Sequence, residues 1–280
     1  MSREEQLQWE ARWAAPVAIA AIVAAFLMLL SGFIFQTEDR PGVEAYPDVL
    51  LSVNDNPGTY TLLVALPVVG SLLALGIFYY LFRATAARGG GVPRWFLFIL
   101  VLGPILNAAG QLIFAFELRD LAEEFANGTP IRGEAGEDRA DELSDFSTVV
   151  EGLRSAGVVS LAFTYVMLPL RARRVGLLSP FMSILGVIVG VLIVFAALGV
   201  GPILQAFWLG SVAMVVLNKW PGGRGPAWES GEAEPWPSAA QKRGLAPMPG
   251  EEPQLDPDEP LPEPEPVPER PASRKRRKKR

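Results

Sequence analysis

The chain of 280 residues contains no cysteine and no histidine. The absence of cysteine excludes disulfide bonds, thiol nucleophiles, iron-sulfur clusters and zinc sites built from thiolates. Without histidine, proton transfer or metal binding would depend on Asp, Glu, Lys or Tyr, so the common histidine-dependent enzymes are poor matches. The composition therefore disfavours the common kinds of enzyme, and the hydropathy of the chain is the more informative property.

Charge is scarce wherever the chain is strongly apolar. Half of the residues are hydrophobic and the mean hydropathy is +0.26, although 20% of the residues are charged. An ordinary soluble domain is less apolar, so the two kinds of residue must be segregated along the chain. This pattern is typical of an integral membrane protein.

Six apolar runs divide the first 220 residues. They cover residues 14–35, 60–82, 95–116, 150–170, 178–198 and 203–217. A membrane helix needs about 20 apolar residues, and only helices or closed barrels satisfy their backbone polar groups in lipid. The sequence therefore predicts an all-α polytopic bundle of six transmembrane helices over residues 1–220. Residues 221–280 are predicted to be a disordered tail, acidic and rich in proline, with a basic C-terminus.

The segments between the runs carry local signals. Residues 36–59 have the composition of a loop, whereas the third helix is predicted to continue beyond its apolar run to Asn127-Gly128. A further helical stretch is predicted to begin near Asp138, and Ser179-Pro180 is a helix start with a cap residue followed by proline.

The distribution of basic residues predicts the orientation. Eight Lys and Arg residues fall in the short segments on one side of the six spans, excluding the tail, and five fall in the longer segments on the other side. Since basic residues collect on the cytoplasmic side, both termini are predicted to be cytoplasmic, in a plasma (inner) membrane.

Polar side chains within the runs are the candidate site. Asn107 and Gln111 lie four residues apart on the third helix, and Gln205 is in the sixth. They could line a polar path through the bundle, or they could form interhelical hydrogen bonds, which is the interpretation that we favour. Arg154, near the outer end of the fourth helix, is expected to reach the headgroups or to pair with Glu151 or Glu117.

Small residues at helical spacing are candidates for helix packing. Gly186 and Gly190 form one pair in the fifth run, and Ala206 and Gly210 form another in the sixth. Such pairs let helix backbones approach closely, so they are expected to join the last two helices, with a dimer face as the alternative.

The charged segments outside the runs suggest partners rather than chemistry. The acidic side chains near Asp138 are expected to form a solvated face, with cation binding as the alternative. A basic run at the C-terminus is expected to contact anionic lipid or the acidic part of the tail. Its residues are Arg274, Lys275, Arg276, Arg277, Lys278, Lys279 and Arg280.

Two stretches carry a resemblance to known proteins. One is Pro226-Ala227-Trp228-Glu229 with the following Pro235-Trp236-Pro237, and the other is the basic loop from Arg171 to Leu178. Over roughly residues 12–237, the chain resembles a group of bacterial six-span membrane proteins. The resemblance implies the same membrane fold and implies no activity, because that group has no assigned catalytic residues.

The sequence therefore predicts a membrane protein without catalytic, cofactor-binding or metal-binding residues and without a cofactor. We expect a non-enzymatic scaffold, sensor or assembly partner, whose one predicted partner is the lipid bilayer. A small-molecule permease that uses Asn107, Gln111 and Gln205 is the alternative. Deletion of residues 222–280 is expected to leave the helical bundle folded.

Overall fold

The computed structural model describes residues 2–37, 46–129, 132–144, 146, 148–195 and 201–237. These residues form helices and contain no strand, which confirms the all-α class. The helices are α1 (Arg3–Thr37), α2 (Tyr46–Asp55), α3 (Pro57–Ala87), α4 (Phe96–Asn127), α5 (Glu134–Leu143), α6 (Thr148–Arg174), α7 (Pro180–Val194), α8 (Gly201–Val216) and α9 (Ala227–Ser230).

Four helices, α1, α3, α4 and α6, are long and apolar enough to cross a membrane. Helices α7 and α8 are also apolar but have only 15 and 16 residues. At about 1.5 Å per residue each measures roughly 22–24 Å, which is shorter than the hydrocarbon core of about 30 Å. Four of the six predicted spans therefore have the length of a membrane-crossing helix within the described residues.

Local sequence signals set several helix boundaries. The Ser179 side chain accepts a hydrogen bond from the Met182 amide at the start of α7, and Pro180 is the first helical residue, as predicted. Helix α4 continues to Asn127 and Gly128 caps it, which confirms its predicted extension. The helix predicted near Asp138 is α5, which begins slightly earlier, at Glu134.

The prediction that residues 36–59 form a loop was wrong over α2. Pro47, Leu50 and Val53 recur at helical spacing and are buried there. Their burial against α4 outweighs the preference of the neighbouring polar residues for a loop. The remaining residues of the predicted loop lie partly outside the described residues.

The six long or apolar helices form a closed ring. Along the order α1, α3, α4, α6, α7 and α8 each helix packs on the next, and α8 packs on α1. Inside this circle of helices, the aromatic side chains of Phe78, Tyr165 and Trp208 contact one another, with centroids 5.0 to 6.2 Å apart. All three side chains are fully buried. The Trp208 indole donates a hydrogen bond to the Met182 carbonyl on α7. Aromatic side chains therefore fill this level of the interior.

A second, smaller core lies where α4 extends beyond its apolar run. Helices α2 and α5 pack there on the last turns of α4, around Leu50, Leu121 and Phe125. The Arg139 guanidinium of α5 donates to the carbonyls of Glu124 and Phe125, and so satisfies acceptors at the C-terminal end of α4. We call α2, α5 and the last turns of α4 the cap.

The compact part of the chain continues beyond the predicted boundary at residue 220. It extends to Trp236. Within this part, Ala227 and Trp228 are buried in the main core. We call residues 221–237 the C-terminal segment. The residues after 237, including the predicted acidic tail and the basic run, lie outside the described residues.

Candidate functional site

A buried ion pair lies at the end of the bundle where α1 begins and α3 ends. The Arg88 guanidinium donates two hydrogen bonds to the Glu10 carboxylate, at 2.6 and 2.9 Å, and the two side chains are 0% and 5% exposed. Arg88 also donates to the carbonyls of Ala84 and Ala227. Such complete pairing is what allows two charges to remain buried, since an unpaired buried charge is costly.

Aromatic rings enclose this ion pair. Tyr80 is stacked between Trp9 and Trp228, with centroid distances of 5.4 and 5.9 Å, and its hydroxyl donates to the Glu10 carbonyl. The Arg83 guanidinium lies 4.0 Å from the centroid of the Trp9 ring, a cation–π contact. We call Glu10, Tyr80, Arg88 and Trp228 the polar cluster. Its rings exclude water from the ion pair and so strengthen its hydrogen bonds.

The C-terminal segment is fastened to the bundle by this cluster. The Trp228 indole donates to the Leu177 carbonyl, and the Glu234 amide donates to the Val175 carbonyl. Together with the bond from Arg88 to Ala227, these contacts tie the segment to the end of α3 and to the loop between α6 and α7. The two stretches that carry the resemblance, around Trp228 and from Arg171 to Leu178, are therefore in direct contact.

A cleft of about 640 Å³ opens beside the polar cluster. Residues at the start of α1 and at the end of α3 line the cleft, together with Gly231 and Glu232 of the C-terminal segment. The lining residues are Ser2, Arg3, Gln6, Arg83, Ala86, Ala87, Gly231 and Glu232. The Arg3 guanidinium and the Glu232 carboxylate are 2.7 Å apart, and both side chains are more than half exposed. The cleft thus contains charges of both signs.

The three predicted amides are on two helices of the ring. Asn107 and Gln111 lie on α4, which packs on α3 and α6, whereas Gln205 lies on α8, which packs on α1 and α7. The Tyr165 hydroxyl is buried and makes no hydrogen bond to a described residue. None of the three amides lines the cleft at the start of α1.

Arg154 of α6 contacts the aromatic ring of Phe114 on α4. Its guanidinium lies 3.9 Å from the centroid of the Phe114 ring. Glu151, the nearer of its predicted partners, is exposed.

The small residues of α7 pack against α6 in addition to the expected contact with α8. A Cβ atom at Gly190 would lie 2.7 Å from the Ala162 carbonyl oxygen of α6, and one at Gly186 would lie 2.6 Å from Pro169 of α6 and 2.9 Å from Trp208 of α8. The glycines of α7 therefore face α6 as well as α8. Ala206 is buried, whereas a Cβ atom at Gly210 would meet no described atom within 4 Å.

The acidic residues of α5 are exposed on the cap. Asp138, Asp141 and Glu142 are all accessible to solvent, and Asp145 lies outside the described residues. Within the described ranges, no three Asp or Glu side chains are close enough to hold a metal ion together.

Sequence reasoning missed the polar cluster. By composition, Glu10 belongs to a short polar stretch before the first apolar run, and Arg88 belongs to the basic turn before the third. The local signals were a carboxylate four residues after Gln6 on a continuous helix and an arginine directly before three glycines. Neither signal identifies the partner, because the two residues are 78 positions apart.

Comparison of the chain with family models, curated proteins and solved structures finds no match. The contacts within the chain itself therefore carry the functional argument.

Proposed function

We propose that the chain is an integral membrane scaffold or assembly partner with six membrane helices and both termini on the cytoplasmic side of a bacterial inner membrane. The short helices α7 and α8 would be the fifth and sixth spans, in keeping with the apolar runs at 178–198 and 203–217. The excess of arginine in the short loops supports this orientation. The likeness to bacterial six-span membrane proteins belongs to the same proposal.

One observation favours a scaffold over a permease. The interior of the helix ring is filled by Phe78, Tyr165 and Trp208, and the amides that a polar path would need lie on helices packed against different neighbours. A transport path requires polar groups that face a common, water-accessible space. Closely packed aromatic rings instead provide a rigid body.

The polar cluster fixes the C-terminal segment, which precedes the tail, on the bundle. Trp228 and Ala227 are held against α3 and the loop between α6 and α7, so the chain leaves the bundle at a fixed place. The following residues are rich in proline and acidic side chains and then in basic ones. Their composition suits contacts with a partner protein and with anionic lipid rather than a packed domain.

Affinity purification from native membranes tests the scaffold. The full chain is compared with a truncated chain that ends at Pro237, which retains the polar cluster. We expect proteins that co-purify with the full chain in stoichiometric amounts to be lost with the truncated chain. Recovery of the same proteins in both preparations would remove the tail from the proposal.

Uptake assays test the alternative. Asn107, Gln111 and Gln205 are changed to alanine together, and the uptake of a panel of small solutes is compared with that of the unchanged chain. We expect no change. Loss of uptake of one solute would favour the permease.

A further inference from the structure

The cleft at the start of α1 has the features of a binding site for a phosphate group next to an ammonium group. We propose that it binds a zwitterionic phosphoethanolamine headgroup, with the phosphate at Arg3 and Arg83 and the ammonium at Glu232 and Gln6. This site is separate from the proposed role of the tail, and it is built only from residues 2–87 and 231–232.

The phosphate position is defined by the two arginines. Arg83 is held by its contact with the Trp9 ring, so its guanidinium is already placed at the wall of the cleft. Arg3 lines the same cleft. Guanidinium groups bind phosphate oxygens with two parallel hydrogen bonds, and a preplaced group loses little entropy on binding.

The Arg3–Glu232 pair does not close the site. Both side chains are more than half exposed, and an exposed ion pair contributes only about 0–1 kcal/mol. A zwitterion can replace this pair without leaving a charge unmatched, because its phosphate takes the place of the carboxylate at Arg3 and its ammonium takes the place of the guanidinium at Glu232. The presence of both signs of charge favours a zwitterion over a purely anionic ligand.

Gln6 supplies an acceptor for the ammonium. Its Nε2 donates to the Glu10 carboxylate, which can only accept, so the other amide atom is the oxygen. Gln6 is 4% exposed, lines the cleft, and its Oε1 has no hydrogen-bond partner among the described residues. A buried acceptor without a partner is costly, and a small movement of the Gln6 side chain toward the cleft would let an ammonium donor there satisfy it.

The location and size of the cleft suit a lipid headgroup. Arg83 directly follows the apolar run 60–82, so the cleft lies where that run would meet the headgroup region. Its volume of about 640 Å³ is within the range of small-molecule sites. A soluble phosphoethanolamine would present the same chemistry, and only the presence or absence of acyl chains separates the two sources.

Native mass spectrometry of the full chain in detergent, with added phosphatidylethanolamine or phosphatidylglycerol, tests the site. We expect Arg83→Gln to weaken binding of phosphatidylethanolamine by at least about tenfold. Arg173→Gln, an exposed arginine on α6 outside the cleft, is the matched control and is expected to have no effect. Equal binding by the two variants would overturn the proposal.

The ammonium contact and the source of the ligand need two further measurements. We expect the unsubstituted protein to prefer phosphatidylethanolamine over phosphatidylglycerol and Glu232→Gln to abolish this preference. Absence of the preference in the unsubstituted protein would contradict the ammonium site. Free phosphoethanolamine is added as a competitor. Displacement of the lipid shows that the headgroup is what binds, and failure to displace it at millimolar concentration would overturn the headgroup site.

Discussion

At the scale of single residues, Arg88 determines how one end of the bundle is built. Its guanidinium joins α1, α3 and the C-terminal segment through hydrogen bonds to Glu10, Ala84 and Ala227. Because the pair with Glu10 is buried, neither charge can be solvated if the other is removed. The two residues therefore act as a unit.

Replacement of Arg88 by methionine is expected to lower the free energy of unfolding by about 3–5 kcal/mol, since it leaves the Glu10 carboxylate buried without a partner. Denaturant titration in detergent micelles measures this change. Arg3→Met, which removes the exposed pair with Glu232, is the control and is expected to cost at most about 1 kcal/mol.

The double variant Glu10→Gln and Arg88→Met is expected to be more stable than the sum of the single effects implies, because no unpaired charge remains. Additive losses from the two substitutions would show that the residues do not act as a unit.

At the scale of elements, the C-terminal segment and the α4–α6 contact carry the most specific expectations. A segment rich in proline and glycine is held by one buried tryptophan and a few hydrogen bonds. The deletion of residues 222–280 was expected to leave the bundle folded, and the structure revises this expectation. Such a deletion removes Trp228 from the core and one acceptor from Arg88.

Truncation after Trp220 is therefore expected to lower the melting temperature clearly, with a loss of about 3–5 kcal/mol, the usual cost of losing a buried tryptophan. Truncation after Pro237, which keeps Trp228 in place, is expected to leave the melting temperature unchanged. Thermal unfolding of the two purified chains in the same detergent measures the difference. Identical melting temperatures would show that the segment does not stabilise the bundle.

Two glycines on α6, Gly157 and Gly152, allow a matched comparison of substitutions. A Cβ atom at Gly157 would lie 2.6 Å from the Asn107 Cα of α4, whereas one at Gly152 would meet no described atom within 4 Å. We expect Gly157→Ala to destabilise the protein by about 1–3 kcal/mol, because the backbone of α4 would have to move. Gly152→Ala is expected to be neutral or to stabilise by up to about 1 kcal/mol through helix propensity. Equal stability of both variants would contradict the close contact.

At the scale of the whole molecule, the absence of cysteine makes the topology directly measurable. A single cysteine introduced at an exposed position is the only thiol in the protein. Glu142 and Arg173 are both exposed. Glu142 is near the end of α5, shortly before α6 begins, and Arg173 is in the last turn of α6. In the proposed topology these two positions lie on opposite sides of the membrane.

In intact cells, a membrane-impermeant maleimide is expected to label Glu142→Cys and to leave Arg173→Cys unlabelled until the cells are permeabilised. This result follows from the excess of arginine in the short loops. The reverse pattern would invert the proposed orientation, and labelling of both positions in intact cells would contradict a bundle that crosses the membrane between them.

The sequence by itself determined the helical class, the apolar helices and several of their ends. These features depend on neighbouring residues, since hydrophobic runs, the Ser179-Pro180 start and the Asn127-Gly128 stop act within a few positions of the chain. The loop predicted over residues 46–55 and the disorder predicted for residues 221–237 were misjudged for a common reason. A polar or proline-rich composition indicates a loop, but the burial of Leu50 or Trp228 against a distant helix overrides it.

Only the tertiary structure decided which polar residues meet. Glu10 and Arg88 pair because α1 and α3 pack side by side and the C-terminal segment folds back over them. The helices that carry Asn107 and Gln205, α4 and α8, in turn pack on different neighbours. Residue type and spacing fix the faces of a helix, but the choice of partner for each face depends on the free energy of the whole packed bundle, to which contacts between distant residues contribute.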